Sequence, residues 1–188
     1  MTTATHDHHV CSTRHAFALD NVIRRLFQKP EKITGPYIQP GDTIIDIGCG
    51  PGFFTIDMAR LAGETGRVIA VDLQQKMLEK VEKKALKHGL SETIRFHRCP
   101  PDSLGIGSDV KADFILAFYM VHETPDPRQF LAEVSSLLKP SGRFLIVEPR
   151  FHVSKNTFRQ ITGYALDAGF QIVDEPAGKG GRSLLLGT

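Results

Sequence analysis

The chain has 188 residues, 41% hydrophobic and 23% charged, with a formal net charge of +2 when histidine is counted as neutral. That length and balance predict one domain, 1–188, with a real apolar core, and they exclude the broad basic footprint of a nucleic-acid-binding surface. No apolar run approaches the ~20 residues of a membrane span, residues 1–10 lack the apolar centre of a secretory signal, and three scattered cysteines point to reduced thiols in the cytoplasm.

Residues 1 to about 14 read as unstructured or ordered by a ligand. They carry His6, His8, His9 and Cys11, with His15 just beyond. Such side chains suit a borderline metal such as zinc, but their spacing matches no strong template. A metal site, an active-site flap and plain disorder all stay open. Ala16 to Gln28 places Phe17, Leu19, Val22, Ile23, Leu26 and Phe27 at helical spacing, with Arg24 and Arg25 on the polar side. This predicts an amphipathic helix that caps the domain and ends at Pro30.

A regular alternation follows. The run Ile44-Ile45-Asp46-Ile47-Gly48-Cys49-Gly50-Pro51-Gly52 reads as a strand over 42–47, a glycine turn and the start of a helix over 52–62. A second strand, 67–72, ends in Asp72, twenty residues after Gly52. This is the layout of a nucleoside-binding βαβ unit, in which glycines allow close backbone approach and the acid accepts ribose hydroxyls. Helix 75–88 interleaves its lysines with Glu79 and Glu82, the pattern of a solvated face. Strand 93–98, a short segment at 102–106, strand 113–119, helix 126–138 and strand 143–148 come next. Ser154 is placed to cap a helix over 155–168, and strands 170–174 and 183–187 flank a turn from Gly178 to Gly181. Strict alternation predicts an α/β fold, a three-layer α-β-α sandwich on a mostly parallel sheet, with an antiparallel hairpin at the end.

The spacing Asp-x-Gly-x-Gly-x-Gly from Asp46 to Gly52 closely resembles motif I of the class I (Rossmann-like) S-adenosylmethionine (SAM) methyltransferases. A dinucleotide fingerprint would need a third glycine where Phe53 stands, which argues against a pyrophosphate on the helix N-terminus. Ala112 to Phe118 is similar to that family's fourth-strand motif. Phe130 to Val134 and Leu138 to Ile146 resemble its helix–turn–fifth-strand motif, with Ser141 in place of a usual glycine. The resemblance covers about 35–188, leaving 1–34 as arm and cap helix, and is nearest to small stand-alone members grouped with ubiquinone-biosynthesis C-methyltransferases. It implies a seven-stranded sheet with a reversed last strand, and SAM as cofactor. It also implies that Asp46 orders the loop and the methionine amino group. Gly48, Cys49, Gly50 and Gly52 would offer backbone, Asp72 would hold the ribose, Leu73 and Met77 would flank the adenine, and the Phe118 carbonyl would meet the amino group. The usual acid after strand three is replaced by Pro100, so Asp102 either reads the adenine edge from a shifted loop or caps a short helix. Tyr119 is equally a packing or a contact residue.

Methyl transfer is an in-line displacement at a sulfonium carbon, so binding and orientation supply most of the acceleration. A hydroxyl or carbon acid also needs a base. His122 is the first candidate, its free pKa being near 6.5, and Glu123 the second; either could instead cap the segment beginning at Thr124. Glu148 ends a predicted strand, and Arg150 and His152 just beyond it either bind an anionic acceptor or lie in a solvated loop. Only Cys11 and Cys99 lie outside the cofactor loop, which gives thiolate chemistry little footing. With no insertion large enough for a substrate domain, the expected acceptor is a small molecule, with neither nucleic acid nor membrane as partner. A SAM-binding sensor linked to metal is the rival reading, and a nicotinamide oxidoreductase is disfavoured by Phe53.

Overall fold

The structure is a computed structural model and describes residues 29–177 and 180–188. The expected helix over 16–28 and the cluster His6, His8, His9, Cys11 and His15 lie outside the described residues.

Numbered in chain order, the described elements begin with the short helix α1 (Pro30–Thr34) and a 3-10 turn (Gly35–Tyr37). Then come β1 (Thr43–Ile47), α2 (Thr55–Ala62), β2 (Arg67–Asp72), α3 (Gln75–His88), β3 (Ile94–Arg98), β4 (Ala112–Phe118) and a second 3-10 turn (Val121–Glu123). The remainder is α4 (Pro127–Leu137), β5 (Leu138–Glu148), α5 (Lys155–Asp167), β6 (Gln171–Asp174) and β7 (Arg182–Gly187). The seven strands lie in the order β3-β2-β1-β4-β5-β7-β6, all parallel except β7. This is the expected architecture, reversed last strand included.

The strand sequences explain the central sheet. A parallel strand covered on both faces has no solvent side, so its apolar run is continuous. β1 shows this with Ile44, Ile45 and Ile47, and β4 with Phe114, Ile115 and Leu116, none more than 2% exposed. Alternate residues feed opposite core layers. Ile44, Phe114 and Leu116 join α1, α2 and α3 on one face, while Ile45, Ile115 and Ala117 join α4 and α5 on the other. Removing the fully buried Phe114 ring would cost about 3–5 kcal/mol. Asp126 accepts from the backbone N–H groups of Arg128 and Gln129 at the start of α4, and Ser154 accepts from Thr157 N–H at the start of α5. Each cap contributes about 1 kcal/mol. Asp126, not His122 or Glu123, therefore caps the segment after β4.

Several boundaries differ from expectation. Pro30 opens a helix of its own, because its missing N–H costs nothing at the first helical position. α2 starts at Thr55, since the turn through Gly48, Gly50 and Gly52 uses positive φ at all three. No helix forms over 102–106. That segment is pinned instead by Leu104 N–H on Glu133 and by the His97 ring on the Leu104 carbonyl. α4 gives way directly to β5 because Leu138 pairs with Ala112. Gly142 makes the fit possible: a Cβ there would lie 2.9 Å from the Ala112 carbonyl oxygen.

The position of the site follows from the topology. The chain runs outward from β1 to β2 and β3, then returns to place β4 on the other side of β1. The connections after β1 and β4 diverge, and a crevice opens beyond their carboxyl ends.

Candidate functional site

The crevice is a cleft of about 1140 Å³. Single-ligand pockets run roughly 300–1,000 Å³, so this one has room for a nucleoside cofactor and a second small molecule.

One half is built from the ends of β1 and β2. Asp46 is 2% exposed and accepts a 2.6 Å hydrogen bond from Thr55 Oγ1 at the start of α2. Burial pushes its carboxyl up to about 7. Gly48 and Gly50 adopt φ of 67° and 53°, the left-handed region that other residues enter only with strain. A Cβ on Gly50 would meet nothing within 4 Å, so at that point bare backbone faces open space. Asp72 joins the two turns: Oδ2 accepts from Gly50 N–H at 2.9 Å and Oδ1 from Gln74 N–H at 2.8 Å. A carboxylate offers about four acceptor positions, which leaves two for a ligand diol. Burial raises the Asp72 pKa, and its two backbone hydrogen bonds hold it down.

The other loop residues divide by role. Cys49 lines the cleft, with its N–H on the Val71 carbonyl. Burial holds the Cys49 and Cys99 thiols above the usual range, so neither is a ready thiolate. Gly52 does not face the cleft; a Cβ there would lie 3.1 Å from the Val81 methyls, so this glycine lets the loop pack onto α3. That is the packing duty for which a dinucleotide loop keeps its third glycine. Phe53 is 2% exposed and set edge-on to Phe54, centroids 5.1 Å apart, where a pyrophosphate would need open backbone. Leu73 and Met77 line one wall. Pro100 and Asp102 also line the cleft; the Asp102 carbonyl accepts from Gln129, and its carboxylate caps no helix.

The second half is built from β4, β5 and the turns that follow them. Phe118 packs against Phe54 at 4.4 Å and Tyr119 at 4.2 Å. Tyr119 is the one non-glycine with positive φ among the described residues, at 62°. Its N–H binds the Val147 carbonyl and its hydroxyl donates to the Gly180 carbonyl at 2.6 Å. Such a backbone costs about 1–3 kcal/mol and persists where surrounding contacts over-determine it. The kink turns the chain into the 3-10 segment carrying His122 and Glu123, and both line the cleft.

His122 has a partner that the sequence did not disclose. Its Nδ1 is hydrogen-bonded to Oε2 of Glu148 at 2.5 Å, and its backbone N–H approaches Oε1 at 3.3 Å. Glu148 ends β5 and is fully buried. The hydrogen bond to Glu148 raises the His122 pKa against the opposing effect of burial. Burial raises the Glu123 pKa, with His122 acting the other way. The His152 ring lies parallel to His122, within 3° and 6.5 Å between centroids, on the turn that begins at Pro149. Phe151, at the tip of that turn, is fully exposed at the rim.

Among the described residues, no group of three or more His, Cys, Asp or Glu side chains is arranged to hold a metal, and no helix is long and apolar enough to cross a membrane. The lining thus offers a carboxylate with two acceptor positions to spare at Asp72, open backbone at Gly50 and a buried carboxyl at Asp46.

Comparison with known proteins agrees. A methyltransferase-domain family model matches residues 38–175. A demethylmenaquinone methyltransferase of Lactobacillus johnsonii is 32% identical over 111 residues, 59% of this chain and 45% of the relative. A ubiquinone/menaquinone biosynthesis C-methyltransferase (UbiE) of Marinomonas sp. is 29% identical over 126 residues, 67% of this chain and 49% of the relative. The chain thus spans about half the length of the curated relatives it matches. The crystal structure of a SAM-dependent methyltransferase from Aquifex aeolicus superposes with a TM-score of 0.80 at 23% identity, covering 94% of this chain and 97% of that one.

Proposed function

The chain belongs to the methyltransferase-domain family, and from that premise we propose that it moves a methyl group from SAM to a small-molecule acceptor, with residues 35–188 acting as one SAM-binding core. The observation that carries this reading is that one cleft joins a diol-accepting Asp72, tied to the glycine loop, with a carboxylate-backed His122. SAM, when bound, supplies a methyl group made electrophilic by the attached sulfonium.

The chain's own residues do the rest. Asp72 takes the ribose hydroxyls with its two remaining acceptor positions. Asp46 takes the amino-acid ammonium, aided by the Phe118 carbonyl. Gly48, Cys49 and Gly50 present backbone to the tail, with Gly52 supporting them from α3. Leu73 and Met77 hold the adenine, and Asp102, which lines the same cleft, reads the adenine edge. His122 is the proton acceptor, and Glu123 is a second carboxyl on the same wall.

The charge of the lining favours a small neutral or cationic acceptor over a polyanion. Asp46, Asp72, Asp102, Glu123, Asp126 and Glu133 line the cleft together with Arg150, the lone guanidinium among the described lining residues. Such a concentration of one sign repels phosphodiesters. The C-methyltransferase and demethylmenaquinone methyltransferase relatives support an acceptor of small-molecule size. A cytoplasmic location belongs to the same proposal, on the scattered cysteines.

Titration calorimetry with SAM and S-adenosylhomocysteine tests the cofactor, with NADH as competitor. Binding of both sulfur ligands, undisturbed by NADH, is the expected result; no binding overturns the reading. Release of S-adenosylhomocysteine over a panel of small acceptors tests turnover, and binding without turnover on any of them favours a sensor.

A further inference from the structure

We infer that Glu148 is a positioning residue that makes His122 a general base, and that the acceptor is therefore protic: a hydroxyl or an acidic carbon that must lose its proton as the methyl arrives. This rests on the methyl-transfer reading above. Three observations carry it. Glu148 is fully buried and does not line the cleft, whereas His122 does. The carboxylate meets both the ring Nδ1 and the backbone N–H of His122, which fixes the ring plane. Nδ1–H donating to a carboxylate leaves Nε2 unprotonated in the neutral ring, and Nε2 is then the nitrogen available to the cleft.

The arrangement is specific to one job. A buried carboxylate without a partner is costly, so the pair is tightly coupled: loss of either member leaves the other stranded. An acceptor that arrives already ionised, or attacks through a neutral lone pair, gains nothing from such a pair. A protic acceptor does. Its O–H or C–H proton passes to Nε2, the oxygen or carbon forms the new bond to the methyl carbon, and the C–S bond breaks with its electrons left on sulfur. S-adenosylhomocysteine leaves neutral, and the proton on His122 goes to solvent. Around the pair stand His152, whose ring is parallel to that of His122 at 6.5 Å, and Glu123, next in the chain, while Arg182 lies opposite Glu148 in the β5–β7 register with its guanidinium on the Val153 carbonyl.

The test uses the full chain and two acceptor sets, catechol and acetylacetone as protic probes, iodide and pyridine as probes with no proton to lose. S-adenosylhomocysteine affinity is measured alongside. The wild type should turn over a protic probe and neither of the others, with a rate that rises through the His122 pKa. Because the Glu148 charge raises that pKa, E148Q should move the rising limb to lower pH, and E148A should lower kcat at least tenfold. Both variants should keep S-adenosylhomocysteine affinity within about twofold. Turnover confined to iodide or pyridine, no turnover of either protic probe by a protein that binds SAM, or a limb unmoved in E148Q would each overturn the inference. Failure of the wild type to bind SAM would overturn the methyl-transfer reading itself.

Discussion

The two halves of the cleft are held together differently. The half built from β1 and β2 gathers main-chain donors on one carboxylate: Gly50 N–H and Gln74 N–H converge on the Asp72 side chain, while Cys49 N–H binds the Val71 carbonyl and Thr55 holds Asp46. The half facing the acceptor is fastened by side chains, His122 to Glu148 across 26 residues of sequence and Tyr119 to Gly180 across 61. The donors on Asp72 survive substitution of their own residues, so that junction depends on one side chain, whereas the junctions of the other half depend on three, at Tyr119, His122 and Glu148. The first half is thus suited to one fixed ligand, and the second can be refitted to a new one while the first stays intact.

The largest effect should come from the fixed half. Asp72→Ala removes the carboxylate that joins the two turns and that we propose takes the diol. With hydrogen bonds to charged groups worth about 1.5–3 kcal/mol each, S-adenosylhomocysteine affinity should fall at least ~100-fold by calorimetry. A loss under threefold would break the assignment of this half.

The next effect is a pH dependence. Asp46 titrates near 7 because it is buried, and an ammonium ligand needs its ionised form. Below pH 7 binding must first expel a proton, so affinity should drop about tenfold per unit, and above 7 it should level off. D46N should flatten the curve. For stability the sign is opposite. A carboxyl raised above its unfolded value of about 3.9 keeps its full contribution below that value and loses it as pH rises through 7. The ligand-free protein should therefore melt lower at pH 8 than at pH 5.

A smaller effect is expected at Gly50. Alanine there meets no atom but is forced to φ near 53°, at a cost of about 1–2 kcal/mol. Melting temperature should fall by about 2–4 °C per kcal/mol. The smallest belongs to the adaptable half: Phe151→Ala removes a fully exposed ring, so stability should change by under ~0.5 kcal/mol and S-adenosylhomocysteine affinity not at all. A large change in either would mean that the rim and the cofactor half are not separable.

The same contrast explains what could be read in the sequence. Asp46, Gly48, Gly50 and Asp72 sit within one strand–turn–helix–strand unit, so spacing alone brought them to the wall of one cleft. The sheet, too, was legible, because continuous apolar runs mark strands that are covered on both faces. The pairing of His122 with Glu148 depends on β4 lying beside β5, a tertiary fact that no local spacing encodes. Glu148 could be seen as an acid closing a strand, but not which residue it would meet. Gly52 looked like its neighbours and turned out to serve α3, since its direction is set by the whole loop. The turn at 102–106 was hidden for a related reason: its order comes from Glu133 and His97, not from its own residues.

β7 lies between β5 and β6 although it follows both in the chain. On the ribosome, one flank of β5 from Phe144 to Glu148 must wait without a partner until residues 182–186 have been made. An interrupted or truncated synthesis product would carry that open, apolar edge, the feature that draws strands of separate molecules together. Nascent chains stalled ahead of Arg182 should thus be clients for chaperones, whereas chains released after Leu186 should not.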